Sequence, residues 1–124
     1  MDAGKQLIWM GSSLADLREF PEDVKDTMGF ALRVAQQGGK HVDAKPLKGF
    51  GGGSVLEVVE NDIGGTYRAV YTVRFREAVY VLHAFQKKSK KGIKTSLQDI
   101  QLIKERLKHA EKSHEEWTKQ RNED

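Results

Sequence analysis

The chain has 124 residues, no cysteine, 38% hydrophobic and 31% charged residues, and a formal net charge of +3. A chain of this size and composition suits one domain with one modest core. It excludes a disulfide framework, a thiolate nucleophile and a thiolate metal site, and no apolar run approaches the roughly 20 residues that span a bilayer.

The opening, MDAGKQLIWMGSS, lacks the apolar stretch of a secretory signal, so a cytoplasmic location and no membrane partner are expected. Residues 5–10 (KQLIWM) read as a short strand. Ser13, three residues before Asp16, resembles a capping box and opens a helical run that carries Leu14 and Leu17 and stops near Phe20. Pro21 opens a second helix, with Glu22 and Asp23 in the first turn to suit the helix dipole. Val24, Met28, Ala31 and Ala35 recur at helical spacing, and Gly38 and Gly39 end the run.

Residues 40–53, KHVDAKPLKGFGGG, are too rich in glycine and lysine for a regular element and read as a loop. Three strand-like runs follow at residues 54–60 (SVLEVVE), 66–75 (TYRAVYTVRF) and 78–85 (AVYVLHAF), joined by short links as in an antiparallel meander. Ser96 and Asp99 then look like a helix cap, and Leu97, Ile100, Ile103, Leu107 and Ala110 define a long amphipathic helix. Beyond about residue 112 the sequence turns polar, and a frayed tail is expected. The order β-α-α-β-β-β-α predicts one α+β domain over 1–124, with the helical hairpin and the last helix packed on one face of a small antiparallel sheet.

Positive charge is patched rather than spread. Residues 83–95 hold five lysines (Lys87, Lys88, Lys90, Lys91, Lys94) and no acid, and residues 40–50 hold three lysines against one aspartate. Such patches attract polyanions more strongly than a net charge of +3 suggests. Phe85 adjoins the larger cluster, so a ring that can stack on a base stands beside ammoniums that can hold phosphates. The plainer reading is a solvated charged loop.

Strand alternation puts Tyr67, Ala69, Tyr71, Val73 and Phe75 on one side and Arg68, Val70, Thr72 and Arg74 on the other. With the first set as core, Arg68 emerges on the opposite face. It is either a solvated arginine or a phosphate clamp, because a guanidinium fork matches phosphate oxygens bidentately. Glu57, flanked by apolar residues in VLEVV, either pairs with Arg68 or serves as a general base. The histidines (His41, His83, His109, His114) have no metal-ligand spacing, His83 reads as a satisfied strand residue, and the glycines of residues 49–53 lack the context of a phosphate-binding loop. No metal and no cofactor are expected.

Three motifs, in this order, carry a resemblance: KPLKGFGGGSVLEV, then YRAVY, then LHAFQKKSKKGIKTS leading into the last helix. Over roughly residues 5–112 the chain resembles the RelE/ParE toxin superfamily, and most of all its HigB-like, phage-type addiction-module branch. The resemblance implies a compact antiparallel sheet with helices on one face, cleavage of messenger RNA on the ribosome, and neutralisation by a DNA-binding antitoxin, expected to be a helix-turn-helix protein. It places Arg68 at the family's strand arginine, Lys87 at its basic residue after the last strand, and Lys48 at its loop lysine. The chain departs from the pattern at Val59, where relatives often carry a basic residue, and at Ser96, where they often carry proline.

The reaction so implied is attack of an RNA 2′-hydroxyl on the adjacent phosphate, with Arg68 and Lys87 stabilising the phosphorane without a metal and Glu57, or a lysine, as base. Lys48, Phe85, Lys88, Lys90 and Lys91 would bind the nucleic acid. Two alternatives stand beside it: a ParE-like inhibitor of a DNA topoisomerase with no catalytic set, and a non-enzymatic nucleic-acid-binding module.

Overall fold

The computed structural model describes residues 4–87 and 95–123. The elements are β1 (Gln6–Trp9), α1 (Ser13–Arg18), α2 (Glu22–Gln36), β2 (Ala44–Pro46), β3 (Val55–Asp62), β4 (Gly65–Thr72), β5 (Ala78–Lys87) and α3 (Leu97–Glu123). They build an α+β fold around one five-stranded sheet in the order β1-β5-β4-β3-β2. The meander β3-β4-β5 is antiparallel as expected, but β1 joins β5 in parallel, so the sheet is mixed.

Two differences from the sequence reading have simple causes. Residues 44–46, expected in a loop, form a short strand that pairs Ala44 with Val58 and Pro46 with Leu56. A strand of three residues ending in proline suits a sheet edge, because proline cannot donate to a further neighbour. The helices also occupy both faces of the sheet, not one. Leu17, Phe20, Val24, Met28 and Leu32 of the α1–α2 hairpin pack with Leu56, Val58, Tyr67, Ala69, Tyr71, Val79 and Val81. Ile103, Leu107 and Ala110 of α3 pack with Val55, Val70, Tyr80 and Leu82 on the other face. The central strand β4 is therefore buried along its whole length. Phe75, expected with Tyr67 and Tyr71, lies beyond the end of β4 and packs on the α3 side.

The helix ends follow local rules. Ser12, not Ser13, is the N-cap of α1, and its hydroxyl donates to Asp16 Oδ2 at 2.7 Å, while Ser13 is buried and donates to the Val81 carbonyl. Gly38 takes φ +85° as α2 closes, so that the Gly38 and Gly39 amides cap the carbonyls of Ala35 and Val34. At α3, Ser96 Oγ accepts from the Asp99 amide at 3.1 Å and donates to Asp99 Oδ2 at 2.7 Å, so the pair caps the helix as the sequence suggested. Leu97, assigned to the apolar stripe of this helix, is in fact exposed. The helix runs on to Glu123, past the polar turn near residue 112, because His114 and Trp117 bring its second half onto the sheet.

A β-bulge sets the geometry of the site. Val70 pairs with His83 but Tyr71 pairs with Val81, which leaves Leu82 as the extra residue. Strict alternation would put His83 with Val79 and Val81 on the α1–α2 side. The extra residue restarts the alternation, so that Leu82 and His83 both face α3.

Candidate active site on the α3 face

The end of the sheet beside the first turn of α3 carries a polar grid. Its rows follow from the register: Asn61, Thr66 and Lys87; then Val59, Arg68 and Phe85; then Glu57, Val70 and His83. Lys45 of β2 extends the last row, directly opposite Glu57. Directly paired residues share a face, so Lys45, Glu57, Arg68, His83, Phe85 and Lys87 all lie on the side of α3.

Arg68 is not a solvated arginine: it is 6% exposed. Its Nη1 donates to Glu57 Oε2 at 3.1 Å, along a diagonal between adjacent rungs. The pairing alternative read for Glu57 is thus present. The guanidinium lies on the floor of the site, and Glu57 is its partly exposed rim.

Lys87 closes β5 and is fixed in place. Its Nζ lies 2.9 Å from Asp99 Oδ2, and the other Asp99 oxygen lies 2.9 Å from His83 Nε2. Burial pushes the Asp99 carboxyl up, but Lys87, His83 and Ser96 together pull it down to about 2. Asp99 is therefore ionised at neutral pH, and His83 Nε2 must carry the proton of their hydrogen bond. Burial lowers the His83 pKa, against the pull of Asp99. Its Nδ1 faces Arg106 Nη1 at 3.5 Å, and Arg106 also donates to the Leu82 carbonyl at 2.9 Å.

Phe85 is half-buried, with its ring stacked on His83 at 4.4 Å between centroids and the Lys87 ammonium 5.8 Å over it. The ring expected to receive a base thus already stacks on a strand neighbour and stays partly exposed. Lys48 is exposed near the start of the β2–β3 connection, outside the grid. Lys88, Lys90, Lys91 and Lys94 lie outside the described residues.

Sequence reasoning missed Lys45, whose place opposite Glu57 depends on an edge strand it did not foresee. It read Asp99 as a cap alone and His83 as an inert strand residue, because the bulge that turns His83 toward α3 leaves no mark in the alternation of apolar residues.

Among the described residues, no group of histidines and acids could hold a metal ion. A cleft of about 680 Å³ lies at the other end of the sheet, lined by Lys5, Gln36, Arg76, Glu77, Trp117 and Arg121. It receives the C-terminal ends of α2 and α3, whose partial negative charge its cations offset. Among the described residues, no helix is long and apolar enough to cross a membrane.

No curated protein matches the chain. A family model does, over residues 15–108, which takes in every described residue of the grid. The matched segment is most of the 124 residues, and its description is phage derived protein Gp49-like (DUF891). The chain belongs to the Gp49-like family of phage-derived proteins.

Proposed function

We propose that the protein is the toxin of a type II toxin–antitoxin pair, an endoribonuclease that cleaves messenger RNA on the ribosome and so stops translation. Membership of a phage-derived family supports the toxin reading. The observation that carries the nuclease reading is the pairing of Arg68 Nη1 with Glu57 Oε2 at 3.1 Å, with Lys87 one diagonal away on the same face. Diagonal neighbours on adjacent antiparallel strands stand about 7–8 Å apart, a span that one phosphodiester and its 2′-hydroxyl bridge.

In this reading Glu57 takes the 2′ proton as that oxygen attacks phosphorus. Arg68 and Lys87 hold the charge that builds on the non-bridging oxygens, the largest single contribution in most such sites. The 5′-oxygen leaves with a proton supplied from the lysine side, and the products are a 2′,3′-cyclic phosphate and a 5′-hydroxyl. The catalytic groups come from the chain itself, with no metal or cofactor. DNA lacks the 2′-hydroxyl and would bind without reacting. Lys45 and Lys48, with Lys88, Lys90 and Lys91, would add the field that draws the RNA backbone in. The cognate partner would be a DNA-binding antitoxin.

The test is purified protein added to a translation extract, with cuts on the message mapped by primer extension. Discrete cuts that coincide with arrest are expected. Arrest of growth with intact messages and inhibited DNA supercoiling would instead place the protein among topoisomerase poisons.

A further inference from the structure

The Lys87 ammonium is held by a chain of side chains that reaches back through the protein. Lys87 Nζ bonds Asp99 Oδ2 at 2.9 Å, and Asp99 Oδ1 bonds His83 Nε2 at 2.9 Å. His83 Nδ1 faces Arg106 Nη1 at 3.5 Å, and Arg106 Nη2 reaches Ser12 Oγ at 3.4 Å, which in turn bonds Asp16. The links come from β5, α3 and α1, so the ammonium is referenced to three elements rather than to its own flexible stem. The side chains of Lys87, His83 and Asp99 are only 27%, 9% and 20% exposed.

We infer that Asp99 and His83 are positioning residues for Lys87, forming a relay that fixes its ammonium against the phosphate in the proposed RNA cleavage. This inference rests on the nuclease reading and adds to it two residues that touch no substrate. A lysine carries about 2 kcal/mol of rotamer entropy, and a lysine at the end of a strand would otherwise spend most of its time away from any one geometry. An ammonium has three donors, and the Asp99 bond uses one, so holding the cation does not exhaust its capacity for phosphate. The bulge at Leu82 and the cap at Ser96 are the local devices that bring His83 and Asp99 to the same place.

The relay also fixes one tautomer. With Asp99 ionised, His83 donates from Nε2 and accepts at Nδ1 from Arg106. Among the described residues, the charged groups around His83 are Asp99 and Arg106 on α3, Asp16 on α1 and, across the Asp99 carboxylate, Lys87.

A double-mutant cycle on cleavage separates this role from a structural one. The variants are Asp99→Asn, Lys87→Met and the pair, with His83→Gln as a second probe away from the helix cap. Single-turnover rate and RNA affinity are measured on the same samples, and folding is checked by circular dichroism. Asp99→Asn is expected to lower the rate constant at least 10-fold while changing RNA affinity less than threefold, and to cause no further loss in a Lys87→Met background. His83→Gln keeps a donor near the position of Nε2 and should retain more activity than His83→Ala. Multiplicative losses for Asp99→Asn and Lys87→Met, or an unchanged rate in Asp99→Asn, would overturn the relay. A wild-type chain that fails to cut RNA would refute the nuclease reading and the relay's catalytic role together, whereas independent losses in a wild type that cuts would refute the relay alone.

Discussion

Arg68 and Glu57 meet across the β3–β4 ladder on a diagonal, with Nη1 3.1 Å from Oε2, and the arginine is 6% exposed. A cation so enclosed is paired for reasons of desolvation alone, whatever else it does, so its roles in stability and chemistry have to be separated by experiment.

Removal of the guanidinium should cost the fold as well as the activity. Arg68→Ala leaves the Glu57 carboxylate without its partner and is expected to lower stability by about 3 kcal/mol, the cost of breaking a buried pair. Chemical denaturation would measure this. Arg68→Lys keeps the charge but loses the fork, so it should remain folded and lose roughly 100-fold in cleavage rate, the scale of one lost transition-state donor. A fully active Arg68→Lys protein would remove the guanidinium from the chemistry.

Glu57→Gln distinguishes base from partner. The amide keeps the shape and accepts a bond from Arg68 but takes no proton, so the rate should fall roughly 100-fold with RNA affinity retained. An active variant whose rate climbs toward high pH, as the wild type's then must too, would move the base to a lysine.

Acid should weaken the protein in two stages. Asp99 is held at about 2 against an ordinary value of 3.8. A depressed folded-state pKa means that the unfolded chain takes up the proton first, so the stabilisation is present above pH 3.8 and is lost as pH falls toward 2. Its size is about 2 kcal/mol. His83 is also lowered, from 6.5, by burial. Its contribution has the same sign and begins to fade as pH drops below 6.5. Denaturant midpoints measured from pH 8 to pH 2 should fall in both windows, and Asp99→Asn should flatten the lower one.

The second half of α3 should contribute to stability rather than fray. His114 bonds the Tyr80 hydroxyl at 3.0 Å and Glu77 Oε1 at 2.8 Å, and it is tilted against Phe75 at 4.3 Å between centroids. His114→Ala leaves the Tyr80 hydroxyl under the helix without that partner, at a cost of about 2 kcal/mol and a midpoint lowered by roughly 5–10 °C. Calorimetry of this variant and of a chain ending at Lys112 would check it. Unchanged melting in both would mean that the tail is free.

Much of the fold was legible because its signals are local. Apolar spacing marked α2 and α3, β-branched and aromatic runs marked β3, β4 and β5, and Ser96 with Asp99 announced the start of α3. The parallel pairing of β1 with β5 and the placing of α3 opposite the α1–α2 hairpin were not legible, because they depend on contacts between segments far apart in sequence. Within the site, strand alternation set Arg68 on the face opposite Tyr67 and Tyr71 and left its pairing with Glu57 as one of two readings, but it could not show that α3 encloses that face. Lys45 was hidden by glycines that made its neighbourhood look irregular. His83 was hidden by a one-residue bulge, which alternation alone cannot reveal.

The most direct test of RNA cleavage by 2′-hydroxyl attack is the chemistry of the cut ends. Ribosomes programmed with a message carrying a single 2′-O-methyl group at the mapped cut site would be incubated with the protein beside the unmodified message. The account predicts 5′-hydroxyl and 2′,3′-cyclic phosphate ends on the unmodified message and no cut at the methylated position. A cut that persists at the methylated site, or that leaves 5′-phosphate ends, would contradict it.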